Sequence, residues 1–168
     1  PMSFDKYTQR NLLRYCLGAT MYMPGTKDFL QPILTKKYPG LTSMVMCFED
    51  ACPEDKVPEA EQNVLRLLDT LNQELDNGLL QYDALPLIIF RVRNIEQFRH
   101  FSDMLRPEHI RLITAFNFPK FNRANGEAYF AHLKELNERF GEVIYGMPIL
   151  ESREMAYLET RIPALMGV

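Results

Sequence analysis

Five short and largely apolar stretches alternate along this chain with longer stretches whose apolar residues recur at helical spacing. No other feature of the sequence constrains its fold as much. Leu17 to Met23, Ser43 to Phe48, Leu87 to Val92, Arg111 to Phe116 and Val143 to Leu150 have strand length and composition. A strand that is apolar at successive positions is buried on both faces, as happens in a parallel sheet covered by helices. The intervening segments supply such helices. Lys27 to Lys37 carries Phe29, Ile33 and Leu34, with Pro32 as a weak point, and the next segment opens on acids and Pro58 before Val64, Leu68, Leu71 and Leu75 line one face. Ile95 to Met104 follows the third strand, and a helix carrying Tyr129, Leu133, Leu136 and Phe140 follows the fourth. Ser152 to Leu165, with Met155, Leu158 and Ile162, follows the fifth. Parallel strands joined by right-handed helical crossovers make either a doubly wound sheet or a (β/α)8 barrel.

Composition sets the outer limits. The 168 residues, 46% apolar and 24% charged, suit a single globular domain over 1–168, and no repeat or Gly/Ser linker divides it. A net charge of −3 from 19 basic and 22 acidic residues gives no electrostatic basis for a nucleic-acid or membrane partner. The longest apolar run, Ala84 to Phe90, is interrupted by Pro86 and falls far short of the roughly 20 residues a spanning helix needs. With no leader pattern at Pro1-Met2-Ser3, the expected location is cytoplasmic. Cys16, Cys47 and Cys52 include no CxxC pair, and His100, His109 and His132 show no zinc-ligand spacing, so the cysteines are read as small buried hydrophobes.

The polar residues narrow the choice. Glu49 and Asp50, Arg91 with Arg93, Lys120 and Glu151 stand at or just past the carboxyl ends of successive strands, where both architectures bind ligands. Neither GxGxxG nor GxxxxGK[ST] occurs, and Met23-Pro24-Gly25-Thr26 is a turn with one glycine, which favours the barrel. Taken singly, each charge has a plain structural reading: acids complementing a helix start, or an arginine in an ion pair. Several on adjacent strand ends would converge on one cleft. Met21, Met23, Met44 and Met46 alternate in the first two strands, which predicts paired core positions on one face. Phe118, Lys120, Phe121, Arg123, Tyr129 and Phe130 could in principle interleave stacking platforms with cations for single-stranded nucleic acid. Core aromatics on a helix, in a net acidic chain, are the stronger reading.

The succession Met21-Tyr22-Met23-Pro24-Gly25-Thr26, Phe48-Glu49-Asp50-Ala51, Phe90-Arg91-Val92, Pro119-Lys120 and Leu150-Glu151 resembles the citrate lyase beta subunit and the wider HpcH/HpaI aldolase group. It is most similar to a carbon-carbon bond lyase-like branch associated with bacterial tellurium-resistance and stress-response genes. The resemblance runs over essentially the whole chain. It implies a TIM barrel that uses Mg2+, for which Mn2+ can substitute, to hold an oxo- or hydroxy-acid or its CoA thioester and to break or make a bond beside the carbonyl. On that basis Arg91 would grip the substrate's acid or carbonyl group, with Pro24 and Gly25 also binding substrate. Glu151 would be the first metal carboxylate, Glu49 and Asp50 the acidic pair of the cleft, and Lys120 the lysine after the fourth strand. A homo-oligomer is implied as well.

The chemistry is consistent with those assignments, because aldol or Claisen-type cleavage leaves charge on an enolate oxygen that a hard dication can stabilise. Two features depart from the family pattern. The acidic pair there follows an aspartate, whose place is held here by Cys47. The family's second metal carboxylate, on a sixth strand, would lie beyond Val168, so the chain is expected to supply about the first five β/α units of a barrel incomplete at its C-terminal end. The alternative is a non-catalytic, barrel-derived interaction protein of a stress-response system.

Overall fold

The computed structural model describes residues 3–168, in which five strands form one parallel sheet ordered β1-β2-β3-β4-β5. They are β1 (Met21–Pro24), β2 (Ser43–Cys47), β3 (Leu87–Arg91), β4 (Ile113–Phe118) and β5 (Tyr145–Pro148). Each strand lies beside the next one in sequence, the order of a barrel wall. A doubly wound sheet would reverse direction at a switch point. The fold is α/β of the TIM-barrel type, an arc of about five units. Among the described residues β1 and β5 each have one neighbour, so both edges of the arc are open.

Helices fill the connections: α1 (Arg10–Leu13), α2 (Leu30–Leu34), α3 (Val57–Asp76), α4 (Ile95–Asp103), α5 (Pro107–Ile110), α6 (Arg123–Phe140), α7 (Arg153–Ala156) and α8 (Leu158–Met166). The long helices have clear local causes. Pro58 stands in the first turn of α3, the Asn94 side chain accepts from the Gln97 N–H to cap α4, and Asn122 caps α6 through the Ala124 and Asn125 N–H groups. Gly141, at φ 65°, ends α6 in the left-handed conformation.

Some element limits differ from the periodicity reading. β1 starts at Met21, because Gly18 turns at φ 58° and the Leu17 carbonyl accepts from the Thr42 and Ser43 hydroxyls instead of a neighbouring strand. β4 starts at Ile113, since Arg111 closes the unanticipated α5 and ties its guanidinium to Asn72 and Asp76. Val143 is exposed, outside β5. The helix expected over 152–165 breaks at Tyr157, whose backbone is extended (φ −102°, ψ 134°), into α7 and α8. Neither piece has a buried residue, and Leu158 and Ile162 face solvent.

Two side-chain sets divide the sheet. Toward the helices, Met23, Met44, Met46, Ile88, Phe90, Phe116 and Phe118 join Phe98, Phe101 and the inner faces of α3 and α6 in the main core. Met21 pairs with Met44 and Met23 with Met46, the same-face pairing that the alternation predicts. On the other, inward face, Val45, Ile89 and Ala115 are buried, flanked by Leu17, Tyr145 and Met147. Phe118 and Tyr129 are core residues, their rings stacked 4.6 Å apart, which makes them packing elements and not an open stacking platform. Cys47 and Cys52 are buried free thiols, whereas Cys16 is partly exposed.

The amino-terminal segment closes the opposite end of the arc through a buried lysine. Lys6 Nζ donates to the Ile110 carbonyl at 2.7 Å and lies 3.4 Å from Glu142 Oε2. Burial pushes its pKa down, only partly countered by Glu142. A lysine whose pKa is lowered on folding weakens the fold while charged, and this cost is lifted as pH rises through the folded value toward the unfolded value of 10.5. Parent stability should therefore gain relative to Lys6→Met in the window just below that value. Paired urea titrations at neutral pH and in that window check this, and a constant difference between the two proteins refutes it.

Candidate active site at the carboxyl edge of the sheet

Strand register brings the candidate residues together. Pro24, Cys47, Arg91, Asn117 and Met147 stand side by side across the five strands at the carboxyl end of the arc. Glu49 and Asp50 follow β2, Lys120 follows β4 and Glu151 follows β5. The charges at these strand ends meet around one nitrogen. Arg91 Nη2 lies 2.7 Å from Glu49 Oε2, 3.1 Å from Asp50 Oδ2 and 2.6 Å from Glu151 Oε1. The contacts to Asp50 and Glu151 are hydrogen bonds, whereas the angle at Glu49 Oε2 leaves an ion pair without one. Lys120 Nζ donates to Glu49 Oε1 at 2.5 Å and lies 3.5 Å from Asp50 Oδ1.

Carboxylate oxygens of Glu49, Asp50 and Glu151 fall within 4.8 Å of one another. They differ in exposure: the Glu49 side chain is 7% exposed, Glu151 34% and Asp50 62%. The Asp50 carboxyl is held below the ordinary carboxylate range, first by hydrogen bonding with the Glu49 carboxyl and then by the charges of Lys120 and Arg91. The Lys120 ammonium is raised, chiefly by its bond to Glu49. Both groups are therefore charged near neutrality.

Local backbone geometry holds the cluster in place. Lys120 adopts φ 48°, uncommon for a residue with a side chain, and its N–H donates to Glu151 Oε1 at 3.2 Å. On either side of it, the Ile149 N–H reaches the Phe118 carbonyl and the Phe121 N–H reaches the Ile149 carbonyl. The turns after β4 and β5 are thereby locked to each other. The Cys47 thiol accepts from the Glu49 N–H at 3.3 Å.

Pro24 and Gly25 stand at the same edge, at the end of β1. Gly25 donates its N–H to the Cys47 carbonyl, and its own carbonyl accepts from Asn63. A Cβ there would lie 3.0 Å from Ala60 Cβ and 3.1 Å from the Phe48 ring, so this glycine provides close packing beneath α3. Pro24 ends β1 opposite Cys47 and accepts the Lys27 N–H. Arg93 turns away from the cluster, donating to the Phe48 and Cys52 carbonyls to pin the loop after β2.

Two residues not anticipated from the sequence lie near the cluster. The Tyr22 phenol oxygen accepts from Asn117 Nδ2 at 2.9 Å, a contact joining β1 to β4. Burial raises the Tyr22 pKa, with Arg91 opposing. Each is a polar residue at the inward-facing parity of a mostly apolar strand, the one signal that could have found them.

An open parallel arc with acids, an arginine and a lysine gathered at its carboxyl edge is the layout of a barrel enzyme that binds its ligand there. A model of the C-C bond lyase family of the TIM-barrel fold matches residues 11–168, and the chain belongs to that family. A comparison with curated proteins finds no match.

Proposed function

We propose that this chain carries the metal- and acid-binding part of a divalent-metal-dependent carbon-carbon bond lyase, acting on an oxo- or hydroxy-acid or its CoA thioester. The observation that carries the reading is the convergence of Glu49, Asp50 and Glu151 to within 4.8 Å at the ligand-binding edge of a barrel wall. All three donors are hard carboxylate oxygens, the set that suits Mg2+ or Mn2+. Glu49 Oε2 is buried without a hydrogen bond, which leaves it a lone pair to offer. Glu151 would hold the ion, with Glu49 and Asp50 beside it.

A bound dication would supply the positive charge that stabilises an oxyanion as the bond beside a carbonyl breaks. Arg91 would bind and orient a substrate carboxylate through its planar fork, and Lys120 would hold the Glu49 carboxyl in place through its bond to Oε1. The likeness to citrate lyase beta and HpcH/HpaI aldolases, the tellurium-resistance association and a homo-oligomer belong to this reading and rest on the strand-end motifs. No helix among the described residues is long and apolar enough to cross a membrane.

The test is a Mn2+ titration followed by electron paramagnetic resonance on the parent and on Glu151→Ala. The parent should bind, and the variant should bind about tenfold or more weakly. Equal binding by both would remove Glu151 from the metal site. Absence of binding by the parent would favour the alternative, an interaction protein built on the barrel wall.

A further inference from the structure

The carboxylate cluster is already occupied by cations of the chain itself, and the way Arg91 occupies it is incomplete. A single nitrogen, Nη2, faces Glu49, Asp50 and Glu151. That nitrogen carries only two hydrogens, so it cannot complete hydrogen bonds to three carboxylates. Glu49 Oε2 is the acceptor left without one, on a side chain more than nine-tenths buried. At the other side of the guanidinium, Nε–H is buried and has no acceptor either. The fork that grips a carboxylate with two parallel bonds is thus held end-on, in its weaker mode.

Charge adds a second constraint. Three carboxylates face one guanidinium and one ammonium, which leaves a single negative charge uncompensated. A dication added to that arrangement would make the cluster net positive at close range. With Arg91 turned away, the same dication beside Lys120 neutralises the three acids. We propose that Arg91 and a divalent cation are alternative occupants of the Glu49, Asp50 and Glu151 cluster, so that cation binding releases the guanidinium to take the carboxylate of an anionic ligand. The inference rests on the metal-site reading above and adds the order and coupling of binding. The cation prepares Arg91 for the acid, and by linkage the acid raises affinity for the cation by the same factor. Lys120, more exposed and bound to Glu49 and Asp50, is a weaker competitor for the same oxygens.

The test uses the full chain, with Mn2+ followed by paramagnetic resonance and propionate as a weakly chelating carboxylate probe followed by calorimetry. Removing the competing charge in Arg91→Gln should tighten Mn2+ binding by about tenfold. The charge-retaining Arg91→Lys should stay close to the parent. Lys120→Met, at an exposed position, should tighten Mn2+ binding by a smaller factor, which keeps the test decisive if Arg91→Gln folds poorly. In the parent, saturating Mg2+ should raise propionate affinity by about fivefold or more, and this coupling should vanish in Arg91→Gln. Mn2+ binding that is unchanged or weakened in both charge-removing variants overturns the exchange while leaving the metal site standing, as does propionate affinity indifferent to Mg2+. Failure of the parent and both variants to bind Mn2+ overturns the metal site and the exchange together.

Discussion

Phe98→Ala is expected to lower the unfolding free energy by about 3–5 kcal/mol, the range for truncating a large aromatic in a packed core. Phe98 is fully buried on α4 and touches both layers of the fold. Its ring centroid lies 4.6 Å from that of Phe116 and 5.6 Å from that of Phe118, both on β4. The His132 ring on α6 meets it edge-on at 4.7 Å, and Tyr129 lies 6.5 Å away. The residue therefore joins α4, α6 and the centre of the sheet, and the cavity left by alanine would border three elements that cannot all close onto it. Urea denaturation should show a lower midpoint with an unchanged slope. A loss under 1 kcal/mol would mean that α4 repacks freely, contrary to the dense aromatic contacts around it.

Gly146→Val should cost about 1–3 kcal/mol or more through overpacking, and should also weaken Mn2+ binding several-fold. Gly146 lies on β5 beneath α6. A Cβ there would stand 2.8 Å from Phe118 Cε2, 2.8 Å from Phe130 Cε1 and 3.0 Å from Leu133 Cδ2. Phe130 is partly exposed and can move, but Phe118 is fully buried and stacked on Tyr129. The strain must then fall on the strand. Among the described residues β5 is an edge strand held by β4 alone, and Glu151 follows three residues after its end. A shift of β5 would carry Glu151 away from Arg91 and Lys120. Denaturation and the Mn2+ titration read the two effects separately. Loss of stability with unchanged Mn2+ affinity would show that the turn locked through Ile149, Phe118 and Phe121 holds Glu151 independently of the strand.

The element pattern was largely legible because it is local. Val64, Leu68 and Leu71 on α3 and Tyr129, Leu133 and Leu136 on α6 are buried as their spacing predicts, since a helix with one apolar stripe has one face to bury. Tyr157 was not legible as a break, because the composition of 152–165 is compatible with one helix, whereas the extended Tyr157 backbone splits it and leaves Leu158 and Ile162 facing solvent. Arg93 and Arg91 looked alike in sequence. They part because Arg91 is the last residue of β3 and keeps its inward parity, whereas Arg93 lies past the strand in the bend before α4, where the alternation no longer applies, so Arg91 reaches the inward cluster while Arg93 braces the loop after β2.

By itself the sequence determined the alternation of strands and helices and the placing of Glu49, Asp50, Arg91, Lys120 and Glu151 at strand ends. Short-range sterics and the periodicity of apolar burial suffice for that. Only the tertiary structure decided that these charges meet on one nitrogen, that Gly25 serves packing, and that Tyr22 and Asn117 join across 95 positions. Those outcomes depend on the register and curvature of the sheet, which arise from the summed packing of every strand against its neighbours and are written in no local stretch of the chain.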